Sequence, residues 1–416
     1  MELAFKIGHT QQLVDVAERN LMGVLIPEAL PRGVSGQEEV RHALASPYQS
    51  PPLRQVVKRG EKIVVVTSDI TRPMPTAAVM PALLEELYAA GAAPEDITLL
   101  FALGSHRRHT QAERRQLAGE RAWREILCVD SDSEDCVCVG TTRRGTPVEL
   151  DRRVVQADRR ICLGNIEYHY FAGYSGGAKA IMPGVATRRA IQANHSAMTE
   201  PGARAGRLAG NPVREDLEEA AAMVGVDFLV NVVLDPQKRI LRAFAGDVTA
   251  AHRAGCAYLD SLYQQRIPGR ADIVIVSQGG APKDLNLYQT QKALDNAQHA
   301  VKDGGVIILI GSCREGLGEA VFARWLREAP SSHALVERIR REFQLGGHKA
   351  AAIAMVLERA DVYLVSELED DQVRAAFLTP FHTVRDAYQA ALRKCGPDAA
   401  VLAMPYGGST LPVVQP

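Results

Sequence analysis

Short apolar runs rich in β-branched residues alternate with helical segments along this chain, and this alternation constrains its fold most strongly. Residues 62–69 predict a buried strand, and residues 75–91 predict the helix that follows it. Strands separated by helices form parallel sheets with right-handed crossovers, so the sequence predicts an α/β fold with parallel sheets flanked by helices. Further strands are predicted near residues 97–103, 159–165, 226–235, 271–280, 304–313, 361–368 and 399–408.

Proline and glycine interrupt this pattern at residues 265–272 and predict a domain boundary there. We therefore expect an N-terminal α/β domain over residues 1–265 and a C-terminal α/β domain over residues 266–403. Two helices are predicted between residues 317 and 360 of the second domain. We expect the active site in the cleft between the two domains.

The composition excludes several classes of function. The 48 Lys and Arg residues against 49 Asp and Glu residues leave a net charge of -1, and aromatic residues make up 5% of the chain. A nucleic-acid binder usually shows a basic excess or aromatic platforms, so none is predicted. No apolar run reaches the roughly 18 residues of a membrane helix, and the N-terminus lacks the layout of a signal peptide. We therefore expect a cytoplasmic location and no membrane partner.

The cysteines and histidines give little support for a metal site built from protein ligands alone. The seven cysteines are scattered, and only Cys136 and Cys138 lie close together, in a stretch that predicts a strand. No second pair completes a tetrahedral zinc site, and no HExxH arrangement is present. Most cysteines are therefore expected to be reduced and buried. If a metal binds, something other than the protein must supply most of its ligands.

Polar clusters follow several predicted strands, and in parallel sheets ligands bind beyond the carboxyl ends of the strands. Asp69 and Arg72 lie in SDITRP, and the Arg72 guanidinium is suited to binding a carboxylate. The alternative is a structural role, in which the motif caps the next helix and forms a local ion pair. His106 and His109 lie in GSHRRHT, where an imidazole is suited to acid–base catalysis and the alternative is a polar surface loop.

The segment from residue 164 to residue 195 is the most informative part of the sequence. Its SGGAK loop places Ser175, Gly176 and Gly177 before Lys179, and this combination suits an anion or a nucleophilic amine. The alternative is a tight glycine turn with a solvated lysine. His169 precedes the loop, and His195 follows it as an isolated histidine of a type that is more often structural.

A polar pair lies on a predicted helix of the second domain. Gln289 and Lys292, in YQTQK, are three residues apart and therefore share one face of the helix. An amide and an ammonium group on one face suit a substrate carboxylate, while a solvated helix face is the more common explanation of such a pair.

Taken together, the motifs resemble those of the nickel-dependent lactate racemase family. They occur in order, with family-like spacing, from about residue 10 to the C-terminus. The motifs are SDITRP, GSHR, EYHYFAGYSGGAKAIMPG, NHSAM, YQTQK and MPYGGSTLP.

The resemblance implies two α/β domains and a nickel-pincer nucleotide, a pyridinium mononucleotide that holds nickel through two sulfur atoms and one ring carbon. It implies covalent attachment of this cofactor at Lys179 and a fourth nickel ligand at His195. Cofactor-biosynthesis proteins would supply the nucleotide. The resemblance also implies that residues from about 404 to 416 pack back on the first domain.

The resemblance further assigns roles to individual side chains. It implies that His106 and His169 act as acid and base on the substrate hydroxyl, His106 being preferred to His109 because it aligns with GSHR. Asp69 and the Ser175–Gly176–Gly177 turn carry over to the cofactor site. Substrate binding is implied for four residues: Arg72, Tyr288, Gln289 and Lys292.

The implied activity is inversion of C2 of a 2-hydroxy acid by reversible hydride transfer to the cofactor. Which small 2-hydroxy acid is the substrate stays open, because the side chains that read its C3 substituent cannot be placed from sequence. A protein that carries the cofactor without racemising is one alternative. A nicotinamide-dependent dehydrogenase is another, but the sequence lacks a strand–GxGxxG–helix unit. Because the assigned residues fall in both predicted domains, we also expect a domain-closing motion.

Overall fold

The structure is a computed structural model that describes residues 1–27 and 36–415. The chain divides into two compact units. We call Leu30–Ser261 the central unit, and Met1–Ala29 together with Leu262–Pro416 the terminal unit. No helix among the described residues is long and apolar enough to cross a membrane.

The strands lie where the apolar runs predicted them, with additional short strands between. In chain order they are β1 (Glu2–Ile7), β2 (Thr10–Asp15), β3 (Leu21–Val24), β4 (Ile63–Ser68), β5 (Ile97–Ala102), β6 (Leu127–Asp130), β7 (Cys136–Thr141), β8 (Pro147–Asp151), β9 (Arg159–Asn165), β10 (Tyr168–His169), β11 (Gly173–Tyr174), β12 (Phe228–Leu234), β13 (Ile240–Gly246), β14 (Gln264–Ile267), β15 (Ala271–Ser277), β16 (Val301–Ile310), β17 (Asp361–Val365), β18 (Thr379–Phe381), β19 (Val401–Met404) and β20 (Leu411–Val414).

The helices fill most of the sequence between the strands. They are α1 (Gly36–Ala45), α2 (Leu53–Val56), α3 (Thr76–Ala89), α4 (Gln111–Ala118), α5 (Glu120–Glu125), α6 (Arg152–Gln156), α7 (Arg188–Ser196), α8 (Pro212–Val224), α9 (Val248–Tyr263), α10 (Leu287–Ala297), α11 (Ala320–Glu328), α12 (Ser332–Arg341), α13 (Gly347–Leu357), α14 (Asp370–Ala375) and α15 (Val384–Cys395). The segment 317–360 therefore holds three helices rather than the two predicted, because Gly346 at φ +90° ends the turn between α12 and α13.

The central unit is built on a six-stranded sheet in the order β13–β12–β9–β4–β5–β6. Its pairs are parallel except for the edge strand β13, which pairs antiparallel with β12. The central strands are almost continuously apolar, as expected for a sheet buried on both faces. Side chains of β4, such as Ile63 and Val65, pack in one core cluster with Leu83 and Leu87 of α3.

The terminal unit has its own six-stranded, all-parallel sheet in the order β18–β17–β16–β15–β19–β3. The N-terminal strand β3 lies at one edge beside β19, and Leu3 and Phe5 of β1 pack in the same core as Ile273 and Ile275. The division thus differs from the predicted domain over residues 1–265, because β3 belongs to the sheet formed mainly by residues after 261, and the separate β1–β2 pair packs in the same core.

The C-terminal segment also differs from the expectation that it packs on the first domain. β20 pairs in parallel register with β14, and both strands belong to the terminal unit. The turn before β20 lies against α10, where Asn296 donates a 2.7 Å hydrogen bond to the carbonyl of Gly407. Hydrogen bonds inside this unit therefore hold the segment.

Candidate active site

Three of the predicted motifs follow adjacent parallel strands of the central unit. Asp69 comes directly after β4, His106 lies in the loop after β5, and His169 lies in the hairpin after β9. Because β9, β4 and β5 are neighbours and parallel, their carboxyl ends lie at one edge of the sheet. The prediction that these motifs share one edge is confirmed for this sheet.

Asp69 and His106 form a short hydrogen-bonded pair. His106 Nδ1 lies 2.6 Å from Asp69 Oδ2, and the Thr71 hydroxyl donates a 2.8 Å hydrogen bond to Asp69 Oδ1. Burial acts to raise the pKa of Asp69, but the His106 hydrogen bond and charge, Thr71 and the positive Arg72 outweigh it and lower that pKa. The ionised carboxylate therefore orients His106 with the proton on Nδ1 and the lone pair on Nε2.

His109 has a structural role in holding this loop. Its Nε2 accepts a 3.1 Å hydrogen bond from the Ile70 N–H, and its Nδ1 lies 2.7 Å from Asp130 Oδ1. The Asp130 carboxylate also accepts a 2.8 Å bond from the His109 N–H. With both ring nitrogens occupied, His109 fixes the backbone next to Asp69 rather than offering a second acid–base group.

His169 lies in the β10–β11 hairpin, which two tyrosines anchor to α9. The hydroxyls of Tyr168 and Tyr174 donate hydrogen bonds of 2.8 Å and 2.9 Å to Asp260 Oδ1. The Ala172 N–H approaches His169 Nδ1 at 3.3 Å, which favours the proton on Nε2. Burial, followed by the nearby positive charges of Lys179 and Arg72, lowers the pKa of His169 well below its usual value.

Buried polar side chains of other segments hold the SGGAK loop in place through hydrogen bonds. Asn231 Oδ1 accepts a 2.8 Å bond from the Gly177 N–H, and His252 Nε2 lies 2.9 Å from the Ser175 carbonyl, to which it donates. A Cβ at Gly176 would come within 2.6 Å of Asn231, and one at Gly177 would come within 2.8 Å of the His252 ring. Both glycines also have positive φ, so close packing and backbone conformation explain this pair.

The loop does not have the backbone arrangement of a simple anion cradle. The Ser175 N–H donates to the Glu167 carbonyl, and the Lys179 N–H donates to the Gly176 carbonyl. Together with the Gly177 N–H, three of the loop's N–H groups are thus bonded within the protein. An anion at this loop would depend on side chains and on the remaining N–H groups.

Lys179 lies in a setting that favours its uncharged form. Its Nζ lies over the Phe171 ring, 5.8 Å from the centroid. Burial, followed by the positive charges of Arg214 and Arg72, lowers its pKa well below the usual value for lysine. Arg214 is fully buried, and its guanidinium donates to the carbonyls of Ala172 and Tyr174. A neutral lysine amine of this kind is a nucleophile.

His195 lies near the end of α7, buried beside Asn194. Its Nδ1 is 2.9 Å from Asn194 Oδ1. Thr187 caps the helix by accepting a 3.2 Å bond from the Ala190 N–H, which fixes the start of α7. Among the described residues no group of three or more His, Cys, Asp and Glu side chains could hold a metal ion. A metal at His195 would need donors that this part of the chain does not provide.

One aromatic ring brings three predicted site residues together. Phe171 is buried, and its ring contacts His169 with centroids 4.5 Å apart and His195 with centroids 4.9 Å apart, both edge to face. The Lys179 ammonium lies 5.8 Å from the same ring. Residues from the hairpin, the glycine loop and α7 therefore surround one side chain of the central unit.

The terminal unit carries the remaining predicted residues on the first turns of α10. Asn286 caps this helix by accepting a 3.0 Å bond from the Gln289 N–H. Tyr288 and Gln289 are half-buried, and Lys292 is exposed one turn later. The buried Lys349 donates a 2.7 Å bond to the Tyr288 carbonyl and lies 4.1 Å from the centre of its ring. The Tyr288 backbone and ring are thus fixed from within the unit.

Comparisons with known proteins identify the family. A model described as the lactate racemase N-terminal domain matches residues 7–206, and one described as the lactate racemase C-terminal domain matches residues 267–412. A lactate racemase of Thermoanaerobacterium thermosaccharolyticum is 33% identical over 416 residues, which cover 97% of each chain. The chain belongs to the lactate racemase family. The lactate racemase of Lactiplantibacillus plantarum is 32% identical and covers 94% of this chain and 95% of its own.

Solved structures agree with this lactate racemase assignment. The lactate racemase apoprotein of Thermoanaerobacterium thermosaccharolyticum superposes with a TM-score of 0.87 at 32% identity and covers all of both chains. A protein from Thermotoga maritima shares the fold, with a TM-score of 0.63 at 19% identity over 91% of this chain and 98% of its own. The family resemblance and the α/β fold predicted from sequence are confirmed, and the chain is an isomerase by family.

The sequence did not indicate the residues that support the site. His252 lies in none of the motifs, yet it contacts Ser175, which is 77 positions away. Asn231 and Arg214 lie in a strand and a helix whose apolar patterns indicate only burial. The one available signal was a polar residue inside an apolar run, as at Asn231 in FLVNVVL, since such residues require a buried hydrogen-bond partner.

Proposed function

We propose that this chain racemises lactate or a closely related 2-hydroxy acid, using a nickel-pincer nucleotide attached to Lys179. The names of the two relatives support the reaction, and the motifs support the cofactor. The observation that carries the proposal is the shared contact of Phe171 with His169, His195 and Lys179. These are the residues to which a base, a metal ligand and an attachment point were assigned from sequence.

The side chains present fit the proposed cofactor. A thioamide link requires an uncharged amine, and burial beside Arg214 lowers the pKa of Lys179 in the required direction. A single histidine fits a metal whose other donors come from an organic ligand. His195, with Nδ1 directed at Asn194, has its lone pair on Nε2, the nitrogen then suited to nickel. Cofactor-biosynthesis proteins are the expected partners for loading.

When bound, the cofactor would supply an electron-poor ring suited to reversible hydride exchange with C2 of the substrate. The chain's own residues manage the hydroxyl proton. His106 Nε2 would accept that proton, and the 2.6 Å contact between His106 Nδ1 and Asp69, which favours a proton on Nδ1, supports this role. The Asp69 carboxylate then stabilises the imidazolium that forms.

His169 would act on the other face of the substrate. Its lowered pKa keeps it neutral in the free protein and makes its protonated form a strong acid. For His169 to act as the acid it must first take up a proton, which solvent would supply, and the protonated ring would then transfer that proton readily to a developing alkoxide. The two histidines have opposite electrostatic settings, since His106 faces a carboxylate and His169 lies near the positive charge of Arg72.

We assign the substrate carboxylate to Arg72, Gln289 and Lys292, and the wall of the substrate pocket to Tyr288. Arg72 and Lys292 are exposed cations, and Gln289 follows the helix cap of α10. An ammonium and an amide on one helix face suit a carboxylate. Lys292→Met should therefore raise the KM for the hydroxy acid more than it lowers kcat.

The experiment that tests the proposal uses holoprotein and single enantiomers. The protein is produced with the cofactor pathway present and incubated separately with D-lactate, L-lactate and other pure 2-hydroxy acids. An enantioselective assay should show the opposite configuration forming from both directions. If the loaded protein inverts none of the acids, the proposal is wrong and a non-racemising carrier of the cofactor is favoured. Inversion that requires added NAD would favour a dehydrogenase.

A further inference from the structure

We propose that Asn194 is a positioning residue that fixes the tautomer of His195 and so determines which ring nitrogen is available to a metal. The inference deepens the proposed function, on which the role of His195 as a ligand rests. Asn194 and His195 are adjacent in α7 and are 1% and 7% exposed. The Asn194 side chain lies between His195 and a buried carboxylate.

The hydrogen bonds of Asn194 fix the orientation of its amide. Its Nδ2 lies 3.1 Å from the Val213 carbonyl and 2.7 Å from Asp216 Oδ2, and both of these atoms only accept. The NH2 group must therefore point toward them. The amide oxygen is then left to face His195, at 2.9 Å from Nδ1.

Asp216 is itself held on its far side. Its two carboxylate oxygens accept bonds from the hydroxyls of Thr142 and Thr146, which lie in the β7–β8 turn. Asp216 is 2% exposed and lies in α8. Three donors among the described residues thus bind the carboxylate, which cannot rotate away from Asn194 without breaking buried hydrogen bonds.

The chain of bonds has one direction. Asn194 donates backward to Asp216 and accepts forward from His195, so His195 must donate from Nδ1. A neutral imidazole with its proton on Nδ1 has its lone pair on Nε2. Metal-ligating histidines commonly have such a partner on the other nitrogen, which fixes the ring and its tautomer. In this chain the immediate partner is a neutral amide rather than a carboxylate.

A purely structural role would predict something different. If Asn194 only joined α7 to α8, its loss would destabilise the protein but leave the His195 tautomer unchanged. The tautomer can be read in the apoprotein by nitrogen NMR of histidine-labelled protein, with the His195 signal assigned from His195→Gln. We expect the proton on Nδ1 at a pH where the ring is neutral. A proton on Nε2 would overturn the proposal.

Two variants extend the test. Asn194→Leu removes the acceptor, so His195 should populate both tautomers. Asn194→Asp combined with Asp216→Asn exchanges the carboxylate and the amide. This double variant loses the bond to the Val213 carbonyl but keeps an acceptor beside His195, so the proton should stay on Nδ1. The matched control is Thr187→Ala, which removes the cap of α7 without touching the imidazole bond. It should lower stability and leave the tautomer as in the wild type.

A second measurement is the rate at which the loaded protein loses nickel to a chelator, which does not depend on catalytic activity. Outer partners of metal ligands typically change metal affinity about 10- to 100-fold. With attachment at Lys179 confirmed by mass, Asn194→Leu should lose nickel to a chelator about 10-fold faster than wild type, and Thr187→Ala should not. The proposal would be contradicted if Asn194→Leu and wild type had the same His195 tautomer populations and lost nickel at the same rate. It would also be contradicted if Thr187→Ala changed these two quantities as much as Asn194→Leu does.

The two hypotheses fail in different ways. If the wild-type protein never holds nickel, the proposed function fails while the tautomer measurement on the apoprotein still decides the role of Asn194. If Asn194→Leu does not fold, the wild-type tautomer and the double variant decide it. The loaded enzyme could also racemise while its apoprotein carries the His195 proton on Nε2. That result would exclude the proposed role of Asn194 and leave the proposed function unaffected.

Discussion

Replacing Asp69 by asparagine separates the proton-handling role of the Asp69–His106 pair from its contribution to the fold. The bond from His106 Nδ1 to Asp69 is 2.6 Å long, and the carboxylate is 3% exposed. A hydrogen bond to a charged group contributes about 1.5–3 kcal/mol, which corresponds to about 10- to 150-fold in rate. The amide introduced by Asp69→Asn can also keep its oxygen toward Thr71 and present its NH2 to His106, which would move the imidazole proton to Nε2.

The assay measures lactate inversion in both directions at equal cofactor occupancy, set by intact mass. The matched control is Asp130→Asn, because Asp130 makes the corresponding bond to His109 Nδ1 at 2.7 Å in the same unit. We expect at least about a 10-fold loss of kcat for Asp69→Asn and a smaller loss for Asp130→Asn, although both should lower the free energy of unfolding. The reasoning is refuted if Asp69→Asn retains wild-type kcat or if the two variants lose it equally.

Three further predictions rest on the supporting residues. In the apoprotein, the rate at which an amine-selective reagent labels Lys179 should rise with pH around a midpoint well below about 10.5, because burial and the charge of Arg214 lower the pKa of Lys179. A midpoint at about 10.5, the usual value for lysine, would contradict this prediction. Burial and the nearby Arg214 lower the pKa of His252, so the ring stays neutral in the folded protein, whereas in the unfolded chain it is protonated below about pH 6.5. As the pH falls, the difference in the free energy of unfolding between wild type and His252→Gln should therefore shrink by up to about 1.4 kcal/mol per pH unit. A difference in urea unfolding that does not change with pH would contradict this. Gly177→Ala should lower the free energy of unfolding in urea by about 2–4 kcal/mol, and Gly145→Ala should lower it less. Both glycines have positive φ, but of the two only Gly177 has a neighbouring side chain that an added Cβ would strike. Equal losses of stability in the two variants would exclude the steric explanation.

Local patterns in the sequence predicted most of the central strands and helices. The run KIVVVTSD corresponds to β4, and the predicted helix over 75–91 corresponds to α3. Such elements are identified by their own periodicity and caps. The pairing of β3 with β19 could not be predicted in this way, because it joins residues near 21 to residues near 401 and no local pattern records the partner of a strand.

The candidate site shows the same division between local and long-range information. His106, His169, Lys179 and His195 were identified because each lies in a motif of the family. Their supporting residues were not, because the signal is a contact between distant segments, as with His252 below the glycine loop and Asp216 behind Asn194. The directions of the pKa shifts at Lys179 and His169 likewise depend on burial and on neighbouring charges, which only the folded chain defines.

The central claim is that the chain carries a nickel-containing nucleotide on Lys179, and intact-protein mass spectrometry with nickel analysis tests it most directly. Wild type and Lys179→Arg are produced in a host that contains the cofactor pathway, beside the lactate racemase of Thermoanaerobacterium thermosaccharolyticum as a loading control. We predict a covalent mass increment on the wild-type peptide that contains Lys179, about one nickel per chain, and no increment in Lys179→Arg. A wild-type chain without increment and without nickel, from a host that loads the control, would contradict the account.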